Sequence, residues 1–108
     1  MKISFDFDST LAEERMQKLA KKLMEEGHEI WITTSRMDSE HGRPEWNRDL
    51  YAVANSLGIP KERIQMTNGA DKWHHLKGFD IHYDDDRVEV ELIEENLEEC
   101  ICVLIFNP

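Results

Sequence analysis

The strongest constraint on this chain is the alternation of short strand-like runs with longer segments of helical periodicity. Residues 2–7 (KISFDF), 28–34 (HEIWITT), 62–67 (ERIQMT), 79–83 (FDIHY) and 100–106 (CICVLIF) have strand character. Over 13–26, Met16, Leu19, Ala20, Leu23 and Met24 recur with the spacing of one helix face, and Gly27 supplies a stop. Pro44 opens a second helical segment in which Leu50, Val53, Ala54 and Leu57 share a face before Gly58. A short helix over 70–77, closed by Gly78, and a further one over 87–97, with Val90, Ile93 and Leu97 inward, complete the pattern. The connections are too long for hairpins, so the strands must run parallel with helices on both faces of the sheet. The expected architecture is a three-layer α/β/α domain spanning 1–108, with five parallel strands in the order 3-2-1-4-5 and no inserted cap. CICVLIF, apolar throughout, reads as a strand covered on both faces.

In that order the winding reverses between the first and fourth strands, and ligands of such sheets bind beyond the strand C-termini at the reversal. The first strand ends in Asp6 and Asp8, and the fourth in Asp84, Asp85 and Asp86. Two carboxylates about 4 Å apart repel by about 4 kcal/mol at an effective dielectric near 20, so a convergent group of them calls for a cation. Ligation by oxygen alone is the preference of Mg²⁺. Beside such a cation an aspartate can act as a nucleophile towards a phosphoryl group, with a second as general acid and base. Thr34 and Ser35 at the tip of the second strand, and Lys72 before the fourth, add hydroxyls and a positive charge suited to phosphoryl oxygens. Period-2 alternation alone does not decide between Thr33 and Thr34; Thr34, two before Arg36, is preferred.

DFDST, WITTSR, DKWHHL and IHYDDD, in this order, resemble the motifs of the haloacid dehalogenase superfamily, a Rossmann-like fold, over residues 3 to about 106. The resemblance implies a Mg²⁺-dependent phosphatase with Asp6 as the phosphoryl-accepting nucleophile and Asp8 as acid and base. It further implies that Thr34 binds the phosphoryl group, that Lys72 neutralises it and orients Asp6, and that Asp6, the Asp8 carbonyl, Asp84 and Asp85 hold the metal. Members of the superfamily usually place a helical turn and a hairpin flap after the first strand. Here Thr10, Leu11, Ala12 and Glu13 read as a capping box that starts the first helix at once, leaving no room for a flap and Asp8 less shielded. The 35–45 loop (SRMDSEHGRPE), the helix after it and YDDD are similar to the phosphatase half of polynucleotide kinase-phosphatases. That resemblance implies that Arg36, His41 and Arg43 contact phosphate near the site, beside the Ser35 hydroxyl; the expected substrate is a phosphorylated small molecule or nucleic-acid end. A noncatalytic relative that binds a cation or phosphate is the alternative from another class.

The net charge of −10 opposes nonspecific nucleic-acid binding, which depends on neutralising phosphates. No apolar run is long enough to span a bilayer, and Lys2 leads straight into a strand containing acids, so a cytoplasmic, membrane-free location is expected. Cys100 and Cys102, two apart on a strand, point the same way and read as buried thiols that do not bridge. His74 and His75 read as surface residues, Trp46 and Trp73 as packing residues, and Asp86 as the cap of the last helix.

Overall fold

The computed structural model describes residues 1–106. Its sheet contains β1 (Lys2–Phe5), β2 (Glu29–Thr34), β3 (Ile64–Met66), β4 (Ile81–Asp84) and β5 (Ile101–Leu104), all parallel, in the order β3-β2-β1-β4-β5. The register pairs Phe5 with Ile32 and Tyr83, Thr34 with Met66, and Asp84 with Leu104, so the strands finish along one edge. The described residues form an α/β domain with helices flanking the sheet and no cap, as the periodicity requires.

The helices α1 (Glu14–Glu25) and α2 (Arg48–Leu57) cover one face. Met16 and Ala20 of α1 and Leu50 and Ala54 of α2 are buried against Ile3, Phe5, Ile30 and Ile32. These are residues that the helical spacing placed inward. Gly58 ends α2 in the left-handed conformation, at φ +78°, and its N–H reaches the carbonyls of Ala54 and Asn55. The helix α3 (Arg87–Asn96) covers the other face, where Leu76, Phe79, Ile93 and Cys100 form a second core with Trp31, Trp73, Leu97 and Cys102 around it. The Asp86 carboxylate accepts from the Val88 N–H at 3.0 Å and caps α3, as expected.

The segment expected to be helical over 70–77 forms only a 3₁₀ turn, Lys72–His75. The extended backbone of Asp71 excludes a helix that begins before Lys72, and from the short turn Lys72 points inward to the acids while Leu76 enters the second core. The expected covering of the last strand on both faces fails as well. β5 lies at the sheet edge, and Ile101 is 64% exposed. His74 and His75 are exposed, the Trp73 ring stacks on His74, and Cys100 and Cys102 are free thiols. Trp46, expected to pack, is exposed at the sheet edge where the strands end, with its ring against Gly42. Among the described residues, no helix is long and apolar enough to cross a membrane.

Candidate phosphoryl-transfer site

The chain does not enter α1 through a capping box. After β1 it makes one wide turn over Phe7–Leu11, closed by hydrogen bonds from Leu11 N–H to the Asp6 carbonyl (3.0 Å) and from Ala12 N–H to the Phe7 carbonyl (2.9 Å). Ser9 takes φ +58° to make this turn, and α1 begins only at Glu14, with no side-chain cap from Glu13. The Thr10 hydroxyl faces Asp6 instead, 3.5 Å from Oδ2. A helical turn therefore does follow β1, where the sequence suggested that the first helix would start at once, and among the described residues there is no hairpin flap, as expected.

At this edge of the sheet Asp6, Asp8, Ser9, Ser35, Lys72, Asp84, Asp85, Asp86 and Glu89 surround a cleft of about 310 Å³. The Lys72 ammonium, only 3% exposed, donates to Asp6 Oδ1 (2.8 Å) and to Asp84 Oδ2 (2.7 Å). His82, wholly buried two residues before Asp84 on the same strand face, brings Nε2 within 2.8 Å of the same Asp84 oxygen. Asp84 Oδ1 accepts from the Asp86 N–H at 3.0 Å. Among the described residues, one buried side-chain polar atom has no hydrogen-bond partner, Nδ1 of His82.

Charge is distributed unevenly over this group. Burial pushes Asp6 up to about 8; Lys72 opposes the shift, and the Asp84 charge adds to it. Burial also works against an ionised Asp84, but the hydrogen bond from His82 and the charge of Lys72 hold it below the ordinary carboxylate range. Burial opposes the Lys72 ammonium too, yet the two carboxylates overcome this and raise it. Burial depresses His82, with partial opposition from Asp84. One ammonium thus serves two buried carboxylates, with Asp85 close by.

Asp6, Asp84 and Asp85 each offer an oxygen, all within 4.8 Å of one another. The donor set consists of hard oxygens from two adjacent strand ends and, once Asp6 is ionised, carries one negative charge more than Lys72 can balance even before Asp85 is counted. Those properties fit a small divalent cation such as Mg²⁺.

The other expected residues separate into two groups. Ser35 lines the cleft, whereas Thr34 is fully buried, and its hydroxyl accepts from the Arg36 N–H at 3.3 Å. Thr33 is ruled out as a cleft residue because its hydroxyl accepts from Ser4 (2.7 Å) and Gln65 (3.2 Å). Arg36, expected to contact substrate, is instead bound to Asp8 and Asp49. His41 is paired with Asp38 at 2.7 Å, which raises its pKa, and neither His41 nor Arg43 lines the cleft. Sequence reasoning missed His82, Glu89 and Asp49. The first was readable, since period 2 puts His82 on the side of the strand that Asp84 occupies. No protein-family model matches this chain, and neither does any curated protein.

Proposed function

We propose that this domain is a Mg²⁺-dependent phosphomonoester phosphatase of the haloacid dehalogenase type, acting in the cytoplasm through an aspartyl-phosphate on Asp6. The observation that carries the reading is the convergence of Asp6, Asp84 and Asp85 around Lys72 at the point where the sheet winding reverses. A solvated turn would leave these groups apart and exposed; here Asp6, Lys72 and Asp84 are buried. The helical turn after β1, which this class of phosphatase usually has, supports the same reading.

In this reading an Asp6 carboxylate oxygen attacks phosphorus, and the bond from phosphorus to the leaving-group oxygen breaks. The leaving oxygen takes a proton from Asp8. Water then gives a proton to Asp8 and attacks the same phosphorus, the Asp6 oxygen–phosphorus bond breaks, and inorganic phosphate leaves. Lys72 holds Asp6 in place by its 2.8 Å contact and balances part of the charge on Asp84. Ser35 offers a hydroxyl to the phosphoryl oxygens from the cleft wall. Asp6, Asp84, Asp85 and the Asp8 carbonyl would hold Mg²⁺, which when bound supplies neutralising charge to the phosphoryl oxygens.

The test is hydrolysis of an aryl phosphate and of a 3′-phosphorylated oligonucleotide with Mg²⁺ or chelator, using Asp6→Asn as the blank. Metal-dependent turnover abolished by that substitution is the expected result. No turnover, with Mg²⁺ still raising the Tm, would overturn the enzyme and leave a cation-binding module.

A further inference from the structure

Arg36 uses all five of its guanidinium N–H donors within the protein. Nε donates to Asp8 Oδ2 at 3.0 Å and Nη2 to Asp8 Oδ1 at 2.6 Å. Nη2 also donates to Asp49 Oδ2 at 3.0 Å, while Nη1 donates to Asp49 Oδ1 at 2.7 Å and to the Trp46 carbonyl at 3.1 Å. The guanidinium carbon lies 4.9 Å from the centroid of the buried Phe7 ring, and the side chain is 19% exposed. Its backbone is fixed as well: the N–H donates to the Thr34 hydroxyl, and the carbonyl accepts from Asn68 at 3.1 Å.

An ordinary surface ion pair joins two mobile side chains and contributes little. This one joins the turn after β1, the tip of β2 and the first turn of α2, with a two-point contact on each carboxylate. Two lone pairs on each Asp8 oxygen are available, and the guanidinium uses one of each.

We infer that Arg36 and Asp49 are positioning residues for Asp8: Asp49 and the Trp46 carbonyl fix the guanidinium, which in turn fixes the plane of the Asp8 carboxylate beside the cleft. This rests on the phosphatase reading, in which Asp8 passes a proton to the leaving group. Arg36 then acts on the chemical step rather than on substrate affinity. The effect should depend on the substrate, because an alkoxide needs that proton to leave and a nitrophenolate scarcely does.

The experiment compares wild type, Asp49→Asn and Arg36→Lys with an alkyl phosphate and p-nitrophenyl phosphate in Mg²⁺. Asp49→Asn keeps the shape of the side chain, and Arg36→Lys keeps the charge but not the fork. For both variants, kcat/KM, which reports the steps up to transfer onto Asp6 and not the later hydrolysis common to both esters, should fall about 10- to 100-fold on the alkyl ester and less than about 3-fold on the aryl ester. Competitive inhibition by inorganic phosphate should stay within about twofold, and the Tm rise on adding Mg²⁺ should be unchanged. Equal kcat/KM losses on the two esters, no loss on either, or a weakened inhibition by phosphate would overturn the inference while Asp6-dependent turnover upholds the phosphatase. Absence of Asp6-dependent turnover in the wild type would overturn both. If Asp49→Asn does not fold, Arg36→Lys decides the question.

Discussion

Asp6 gives the most demanding test of the site, because burial and function oppose each other there. Its carboxyl is raised from an ordinary 3.8 to about 8, chiefly by burial. A carboxyl whose folded value exceeds its unfolded value stabilises the fold while it is protonated. That contribution is complete below about 3.8 and is lost as pH rises through about 8. Linkage at about 1.4 kcal/mol per pH unit makes the loss between pH 5 and pH 8 on the order of 3 kcal/mol. The Asp6 side chain is only 8% exposed, so solvent screens little of this. For a domain of this size the loss corresponds to a Tm decrease of about 10 °C or more.

Asp6→Asn has no proton to lose at this position, and the other titrating groups contribute to both proteins. In chelator, then, the wild type should lose stability from pH 5 to pH 8 relative to Asp6→Asn, and at pH 8 the variant should have the higher Tm. Mg²⁺ favours the ionised carboxylate and should flatten the wild-type slope, with a much smaller effect on the variant. The assay is thermal unfolding of both proteins across this pH range, with Mg²⁺ and with chelator. Parallel profiles in chelator would refute the argument that Asp6 is held at a desolvation penalty. Equal Mg²⁺ shifts in the two proteins would refute metal binding at Asp6.

Lys72→Met leaves Asp6 and Asp84 without their shared ammonium and should destabilise the metal-free protein by about 3–5 kcal/mol in denaturant titrations, less in Mg²⁺; a change under about 1 kcal/mol would contradict the buried pairing. Gly42→Ala puts a methyl 2.8 Å from the Met37 Cβ and 3.0 Å from the Trp46 ring, and the overpacking should cost about 1–3 kcal/mol by the same measurement. Gly58→Ala meets no atom within 4 Å, so its cost should be the left-handed backbone alone, about 1–2 kcal/mol, with kcat and KM unchanged.

The sheet order and the meeting of the two acid clusters were legible because they follow from rules with few solutions. Short apolar runs separated by helical periods force parallel pairing, and the reversal of winding between β1 and β4 puts Asp6 beside Asp84. The errors arose where a local pattern competed with a distant contact. Thr10 to Glu13 has the spacing of a capping box, but the Thr10 hydroxyl faces Asp6, and the chain winds another turn before α1 begins. Residues 70–77 have the length of a helix, but Asp71 is extended and Lys72 reaches two carboxylates at the ends of β1 and β4. Apolar character in CICVLIF suggested a strand covered on both faces, but at the edge position that the expected order gave it no residue of β5 is fully buried.

Arg36 shows why site geometry was the least legible level. Its place after Thr34 was visible, and a cation beside a phosphoryl site suggests a substrate contact. Whether a cation is available to substrate depends on which carboxylates the fold brings to it. Asp49, 13 residues further on at the start of α2, has no local signature of that contact. Once the guanidinium engages Asp8, Asp49 and the Trp46 carbonyl together, it has no donor left for a substrate oxygen. In the proposed reading the same residue type at the same strand tip thus serves as support rather than as ligand, and the difference is made by one aspartate on the neighbouring helix.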